Sequence, residues 1–560
     1  RTSNNKVKRE NTLGDLATTG SEGKYTWNYG DILDALANIV PGDRPALIHG
    51  DDVTTWSDFT KRTNNLASNL LKGGAVAGDK IAIYMRNRRE YPEGLAASFK
   101  GRLTHVNVNY RYVAKELVYL LDNADATVCI YAAEFASQVD AIKASLPKVT
   151  QWVEVADGFS GNADAISYEA LATEGDGEPL DVERLGSDQL FLYTGGTTGM
   201  PKGVMWAHDS LWHALGGGGN ANAGVPPCAD LEELLERIRL APIVPVNVPL
   251  PPIMHGTGMM SAINAMMGGG TCVTLPYKSF DAEMALSAID KYKATTVTIV
   301  GDAFARPLVE AMDANPGKYD FSSVMAMTSS GVMWTRDIKA GLLRHNQNLM
   351  LVDAFSSSEA IGLGSSVMTK DATIEVAKFV LGPSCKVFTE DEQEVLPGSS
   401  ESGMVAVCGS LPDGYYKDKE KTDKTFKVIN GVRYSIPGDW VKVETDGSLT
   451  LLGRGSNCIN TAGEKVYPEE VEEALKGHES VADCLVIGMP DEKWGQAITA
   501  VVELNNGYEV EENELRDFAR QELAAYKVPK RILSRASLER APNGKANYQL
   551  IKEYAEEVLG

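Results

Sequence analysis

The segment Tyr193-Thr194-Gly195-Gly196-Thr197-Thr198-Gly199-Met200-Pro201-Lys202-Gly203 sets four glycines among three threonine hydroxyls and one lysine. Glycine lets a backbone approach an anion closely, while hydroxyls and an ammonium add donors that bond phosphate oxygens. The preceding Gln189-Leu190-Phe191-Leu192 reads as a short buried strand, so the loop leaves a sheet with backbone N–H groups free to converge on phosphate. A Walker loop needs four residues between its first Gly and Gly-Lys-Ser/Thr. Here Pro201 precedes the lysine and Gly203 follows it, which argues against a helix beginning there. The loop points to nucleotide handling and leaves the reaction open.

The elements that must hold this loop belong to a large protein. At 560 residues the chain exceeds one hydrophobic core, and two or more domains are expected. A hydrophobic fraction of 43% supports sizeable cores. The longest apolar stretches, such as Ile243 to Ile253, are broken by prolines well short of a membrane span, so no integral membrane association is expected. Residues 1–24 are polar and of mixed charge, without the apolar region of a secretory signal, and read as a tail. A cytoplasmic location is the default expectation. Seven cysteines without Cys-x-x-Cys spacing fit reduced thiols better than disulfides or a zinc site. A net charge of −22 disfavours nucleic acid as a partner, so an anionic nucleotide must be met by local donors.

From Tyr25 to Leu192, apolar runs such as Ile81 to Met85 and Thr127 to Tyr131 alternate with helical patterns such as Trp56 to Leu71, the rhythm of an α/β fold. The alternation continues through Thr295 to Ile299 and Met350 to Val352. Gly216 to Gly219, followed by the acidic Asp230 to Arg237, reads as an inserted flap that walls a pocket. Asp446-Gly447 reads as a hairpin turn, after which the character changes. The expected organisation is a large α/β domain of several subdomains over residues 25–454 and a small mobile α+β domain over 455–560, with a helix from Pro468 to Leu475.

Downstream of the loop lie Phe355-Ser356-Ser357-Ser358-Glu359, Gly438-Asp439, Gly453-Arg454, Gly463-Glu464-Lys465-Val466-Tyr467-Pro468 and Pro542-Asn543-Gly544-Lys545. In that order they resemble the adenylate-forming superfamily of acyl-CoA synthetases, luciferases and peptide-synthetase adenylation domains, over nearly the whole chain. The resemblance implies that a carboxylate attacks the α-phosphorus of ATP, pyrophosphate leaves, and a thiol then displaces AMP. It implies ATP, Mg²⁺ and coenzyme A as the small molecules bound. Thr194, Gly195, Gly196, Thr197, Thr198, Gly199 and Lys202 would grip the β- and γ-phosphates, and Ser358 the α-phosphate. Glu359 would hold Mg²⁺, which prefers carboxylate and phosphate oxygens. Gly331, Asp353, Phe355 and Ser356 fall to the nucleotide pocket, and Asp439 and Arg454 to the ribose hydroxyls. Lys545 would bridge the α-phosphate and the substrate carboxylate. The small domain would then swing about Gly453 to Asn457, presenting Gly463, Glu464 and Lys465 to the thiol. Ser456 stands where many relatives carry Asp or Lys, Gly195 where a hydroxyl residue is common, and Ser356 where glycine is common.

Pro251 to Gly258 resembles the family segment that lines the carboxylate entrance, which makes His255 a candidate gate, without implying general-base chemistry. Met254, Met259, Met260, Met266 and Met267 fit either an adaptable apolar pocket or plain core. Asn107 to Tyr112, Gly203 to Trp206, Gly414 to Asp418 and Leu452 to Ser456 look like phrases of actinobacterial ligases for steroid side-chain and long-chain acids. The expected substrate is a large hydrophobic carboxylic acid, long-chain, steroid side-chain or bulky aryl. A carrier-protein loader is the first alternative, although no carrier domain follows Gly560, and a non-catalytic nucleotide-binding homologue is the second. The residues leave the oligomeric state open, a homodimer being one option.

Overall fold

The computed structural model describes residues 25–194, 200–220, 224–331, 334–371, 378–454, 459–461, 464–491, 495–523, 525–541, 544 and 546–560. Among these, the strands form sheets of fifteen, eight and five.

The eight-stranded sheet is built around Lys80–Tyr84, Thr104–Asn107, Ala126–Ala132 and Gln151–Val155, paired in parallel. Their side chains are buried almost throughout, as in a parallel sheet covered on both faces. The expected strand before the glycine-rich loop runs Gln189–Thr194, parallel to Thr104–Asn107 and antiparallel to Lys202–Ala207. Lys202 therefore opens a strand, not a helix, and Thr194 lies opposite it. This is the geometric difference from a Walker loop that Pro201 and Gly203 signal.

In the fifteen-stranded sheet, Thr271–Thr274, Val246–Pro249, Thr296–Ile299, Ala326–Ser330 and Met350–Ser357 are consecutive parallel neighbours. Sheets of this kind place ligands beyond the carboxyl ends of their strands. There the chain has Val300, Gly331 and the turn Ser358-Glu359. The hairpin at Asp446-Gly447 joins Asp439–Val443 to Ser448–Arg454, with Gly447 at φ +81°. Asp446 accepts from the Ser448 amide at 2.9 Å, fixing the turn.

Arg454 still belongs to the fifteen-stranded sheet, while Ile459–Thr461 belongs to the five-stranded one. The latter sheet contains the long hairpin Val481–Asp491 and Gly495–Leu504 and packs on the helix Pro468–Lys476. That helix begins with Pro468 at a position where the missing N–H costs nothing.

The large core buries His105 and His208 completely. His208 sits among aromatic rings, 5.1 Å from Tyr29 and 4.8 Å from Phe99 between centroids. Burial lowers the two imidazoles to about 3 and about 4, from 6.5. Because the folded values lie below the unfolded one, their contribution is fully present above pH ~6.5 and is lost as the pH falls. Each costs about 2 kcal/mol at pH ~5, taking ~1.4 kcal/mol per unit. The thermal midpoint of the large domain is expected to fall between pH ~7 and ~5. A His208→Phe variant should flatten that drop, and an unchanged drop would show that other groups set it.

Candidate active site

One cavity of about 1950 Å³ opens where the carboxyl ends of the parallel strands, the hairpin of the glycine-rich loop and the small domain meet. Thr194, Lys202, His255, Gly331, Asp353, Phe355, Ser356, Ser358, Glu359 and Asp439 all line it. These positions, separated by up to 245 residues from Thr194 to Asp439, were singled out by type and order alone. Gly195, Gly196, Thr197, Thr198, Gly199, Gly463 and Lys545, together with the side chains of Arg454, Glu464 and Lys465, lie outside the described residues.

Lys202 is held by Asp418 at 2.9 Å, and that hydrogen bond raises its pKa. Asp418 also caps the helix Lys419–Thr425 by accepting from the Lys421 amide at 3.0 Å. One carboxylate thus orients the loop lysine and starts a helix whose Lys421 lines the same cavity.

The Ser356 to Glu359 turn is clamped from three sides. Trp206, fully buried, donates its indole N–H to the Ser358 carbonyl at 2.9 Å. Ser435 donates to the Glu359 carbonyl at 2.7 Å, and Ser356 Oγ accepts from the Gly362 amide at 3.1 Å. The Tyr415 hydroxyl donates to Glu359 Oε1 at 2.7 Å, aiming the carboxylate while Oε2 is left to other partners. A half-buried carboxylate on a rigid turn is the hard oxygen donor that Mg²⁺ accepts, so the residues present fit that ion. Among the described residues no cluster of three or more acidic, histidine or cysteine side chains is placed to hold a metal.

Asp439 is buried and pairs with Arg454 across the hairpin, so the two positions meant for one ribose are brought side by side. Gly331 has φ +97°, and a Cβ there would meet nothing closer than Val300 at 3.9 Å, leaving room for a flat ligand against the backbone. His255 precedes the helix Gly256–Met267 and lines the cavity at its start.

Asp353 lines the cavity but is ion-paired with buried Lys339, and burial raises its pKa. Its carboxylate is spent on the frame between the strand Met350–Ser357 and the helix Arg336–His345. Of the five methionines, Met260 and Met267 line the cavity, whereas Met254, Met259 and Met266 are core. Helical spacing turns Met260 and Met267 to one face and Met259 and Met266 to another. Sequence reasoning overlooked Asp418, Tyr415, Lys421 and the small domain's Lys476 and Arg540 as site residues. Nothing in the pattern of Gly414 to Asp418 says that this segment meets the loop and Glu359.

The small domain closes the cavity with Glu472, Lys476, Arg540 and Tyr548. Arg540 grips Asp483 at 2.5 and 2.8 Å and donates to the Gly544 carbonyl at 3.3 Å. Gly544, at φ +74°, abuts Val300: a Cβ there would lie 3.1 Å from its carbonyl oxygen, so only glycine suits this approach.

Family models for an AMP-binding enzyme and for its C-terminal domain match residues 34–416 and 470–545. The chain belongs to the AMP-binding enzyme family. It is 40% identical to a 3-oxocholest-4-en-26-oate–CoA ligase of Rhodococcus rhodochrous, over 94% of this chain and 95% of that protein. It is 38% identical to a medium/long-chain-fatty-acid–CoA/3-oxocholest-4-en-26-oate–CoA ligase of Mycobacterium marinum, over 94% and 96%. An anthranilate CoA ligase solved with anthranoyl-AMP has the same fold, with a TM-score of 0.82 at 21% identity over 95% of this chain and 98% of that one. The mixed α/β architecture of a large and a small domain is that of adenylate-forming enzymes. No helix among the described residues is long and apolar enough to cross a membrane.

Proposed function

We propose that this AMP-binding enzyme is an AMP-forming acid–thiol ligase that converts a large hydrophobic carboxylic acid into its CoA thioester. The observation that carries the reading is the convergence of Thr194, Lys202, Ser358, Glu359 and Asp439 on one cavity whose lining also includes the apolar Val40, Ile238, Met260 and Met267. The two ligases above support the class of acid.

In the first half-reaction the substrate carboxylate oxygen attacks the α-phosphorus of ATP, and the bond to pyrophosphate breaks. Two anions approach each other, so catalysis rests on positioning and on cations facing the developing charge. Lys202, kept charged and oriented by Asp418, meets the phosphates beside the glycine-rich loop. Ser358, on its clamped turn, donates to the α-phosphate, and Asp439 accepts from the ribose hydroxyls. Glu359 would hold Mg²⁺, which when bound would supply charge to neutralise the phosphates. Lys545 spans the α-phosphate and the incoming carboxylate. In the second half-reaction the CoA sulfur attacks the acyl carbonyl, its proton is released, and AMP departs. Glu464 and Lys465, on the strand Glu464–Val466, face that step after the small domain rotates about residues 453–457.

The test is pyrophosphate release dependent on acid and ATP, with the thioester identified by mass, across fatty acids, steroid side-chain acids and arylpropionates. Thioester formed with free CoA supports the ligase. Pyrophosphate released without CoA turnover, but with a carrier protein loaded, would favour the carrier-loading alternative. No release with any acid would leave a non-catalytic nucleotide binder.

A further inference from the structure

Resting on the ligase reading, we infer that the acid this cavity takes carries a second oxygen at the end remote from its carboxylate, and that Arg44 receives it. The helix Gly256–Met267 runs along the cavity: Thr257, Met260, Ser261, Asn264, Ala265 and Met267 line it at three- and four-residue spacing, which is one helix face. At ~1.5 Å per residue this face spans about 18 Å, the reach of an extended palmitoyl chain or of a sterol with its side chain. His255 marks the end nearest the nucleotide walls, and Gly268 to Gly270 the far end.

At that far end three elements meet. A Cβ on Gly269 would touch Val40 at 3.0 Å and Ile238 at 3.3 Å, and Arg44 donates to the Gly269 carbonyl at 3.0 Å. Arg44 lines the cavity and, among the described residues, has no carboxylate within ion-pair distance, in a chain with a net charge of −22. Nearby Arg237 differs, being satisfied by Glu233 and by the Pro226 carbonyl at 2.6 Å. A methyl end lying against Arg44 would strip water from a guanidinium and return no hydrogen bond, whereas a keto or hydroxyl oxygen replaces that water. Along the helix Ser261, which donates to Asn247 Oδ1 at 3.1 Å, and Asn247 also line the cavity, so polar groups lie on the way to Arg44.

The experiment compares kcat/KM for thioester formation within pairs matched in length: palmitic acid against its ω-hydroxy analogue, and 3-oxocholest-4-en-26-oate against its 3-deoxy counterpart. The oxygenated member of each pair is expected to be favoured by roughly tenfold, the scale of one hydrogen bond to a charged group. Arg44→Leu should bring the ratio close to unity and Arg44→Lys should retain part of it, a change in selectivity that a loss of folded protein does not produce. Equal values in the wild-type enzyme, or a ratio unmoved by Arg44→Leu, would overturn the inference while leaving the ligase standing. No thioester from any acid would overturn both.

Discussion

A Lys545→Ala chain is expected to lose acyl-adenylate formation by roughly 10³-fold, the scale of removing a cation aimed at transition-state charge. The same chain should convert a supplied acyl-adenylate and CoA to thioester at close to the normal rate. The asymmetry follows from the proposed domain rotation, which takes Lys545 out of the site before the thiol attacks. The position next to it is already committed to the cavity wall: Gly544 abuts Val300, and Arg540 holds the Gly544 carbonyl at 3.3 Å. Separate assays of the two half-reactions decide the matter, and an equal loss in both would remove Lys545 from its role.

Glu359→Gln is expected to lower adenylation by roughly 10²-fold and to raise the Mg²⁺ concentration needed for half-maximal rate, because an amide oxygen offers no charge to a hard cation. Tyr415→Phe is the matched control. It removes the hydroxyl that orients Glu359 Oε1 at 2.7 Å but keeps the carboxylate, so a loss below about tenfold is expected, the worth of roughly one hydrogen bond. A Glu359→Gln enzyme with an unchanged Mg²⁺ requirement would mean that the ion is held elsewhere.

Much of the large domain was legible because its signals are local. The runs Ile81 to Met85 and Thr127 to Tyr131 are apolar without alternation, which a buried parallel strand requires, and all but Met85 lie in the strands Lys80–Tyr84 and Ala126–Ala132. The Asp446-Gly447 turn was readable because φ +81° at Gly447 is a property of that residue type. Asp353 was harder. Its neighbours in sequence mark a nucleotide pocket, but its carboxylate is engaged by Lys339, fourteen residues away on a separate helix. The methionines divided for a similar reason, since composition says that they are apolar and only the rotation of the helix says which of them face the cavity.

By itself, the sequence determined the motifs that the proposed reaction needs: a glycine-rich loop, an acid after a serine run and an aspartate after a glycine, each a short pattern of residue types. The tertiary structure alone decided what surrounds them. Asp418 reaching Lys202, Tyr415 aiming Glu359, Trp206 pinning Ser358 and Arg44 reaching the Gly269 carbonyl are contacts between segments far apart in the chain. No local pattern records such contacts, because they exist only once packing of the sheets and helices has brought those segments within bonding distance.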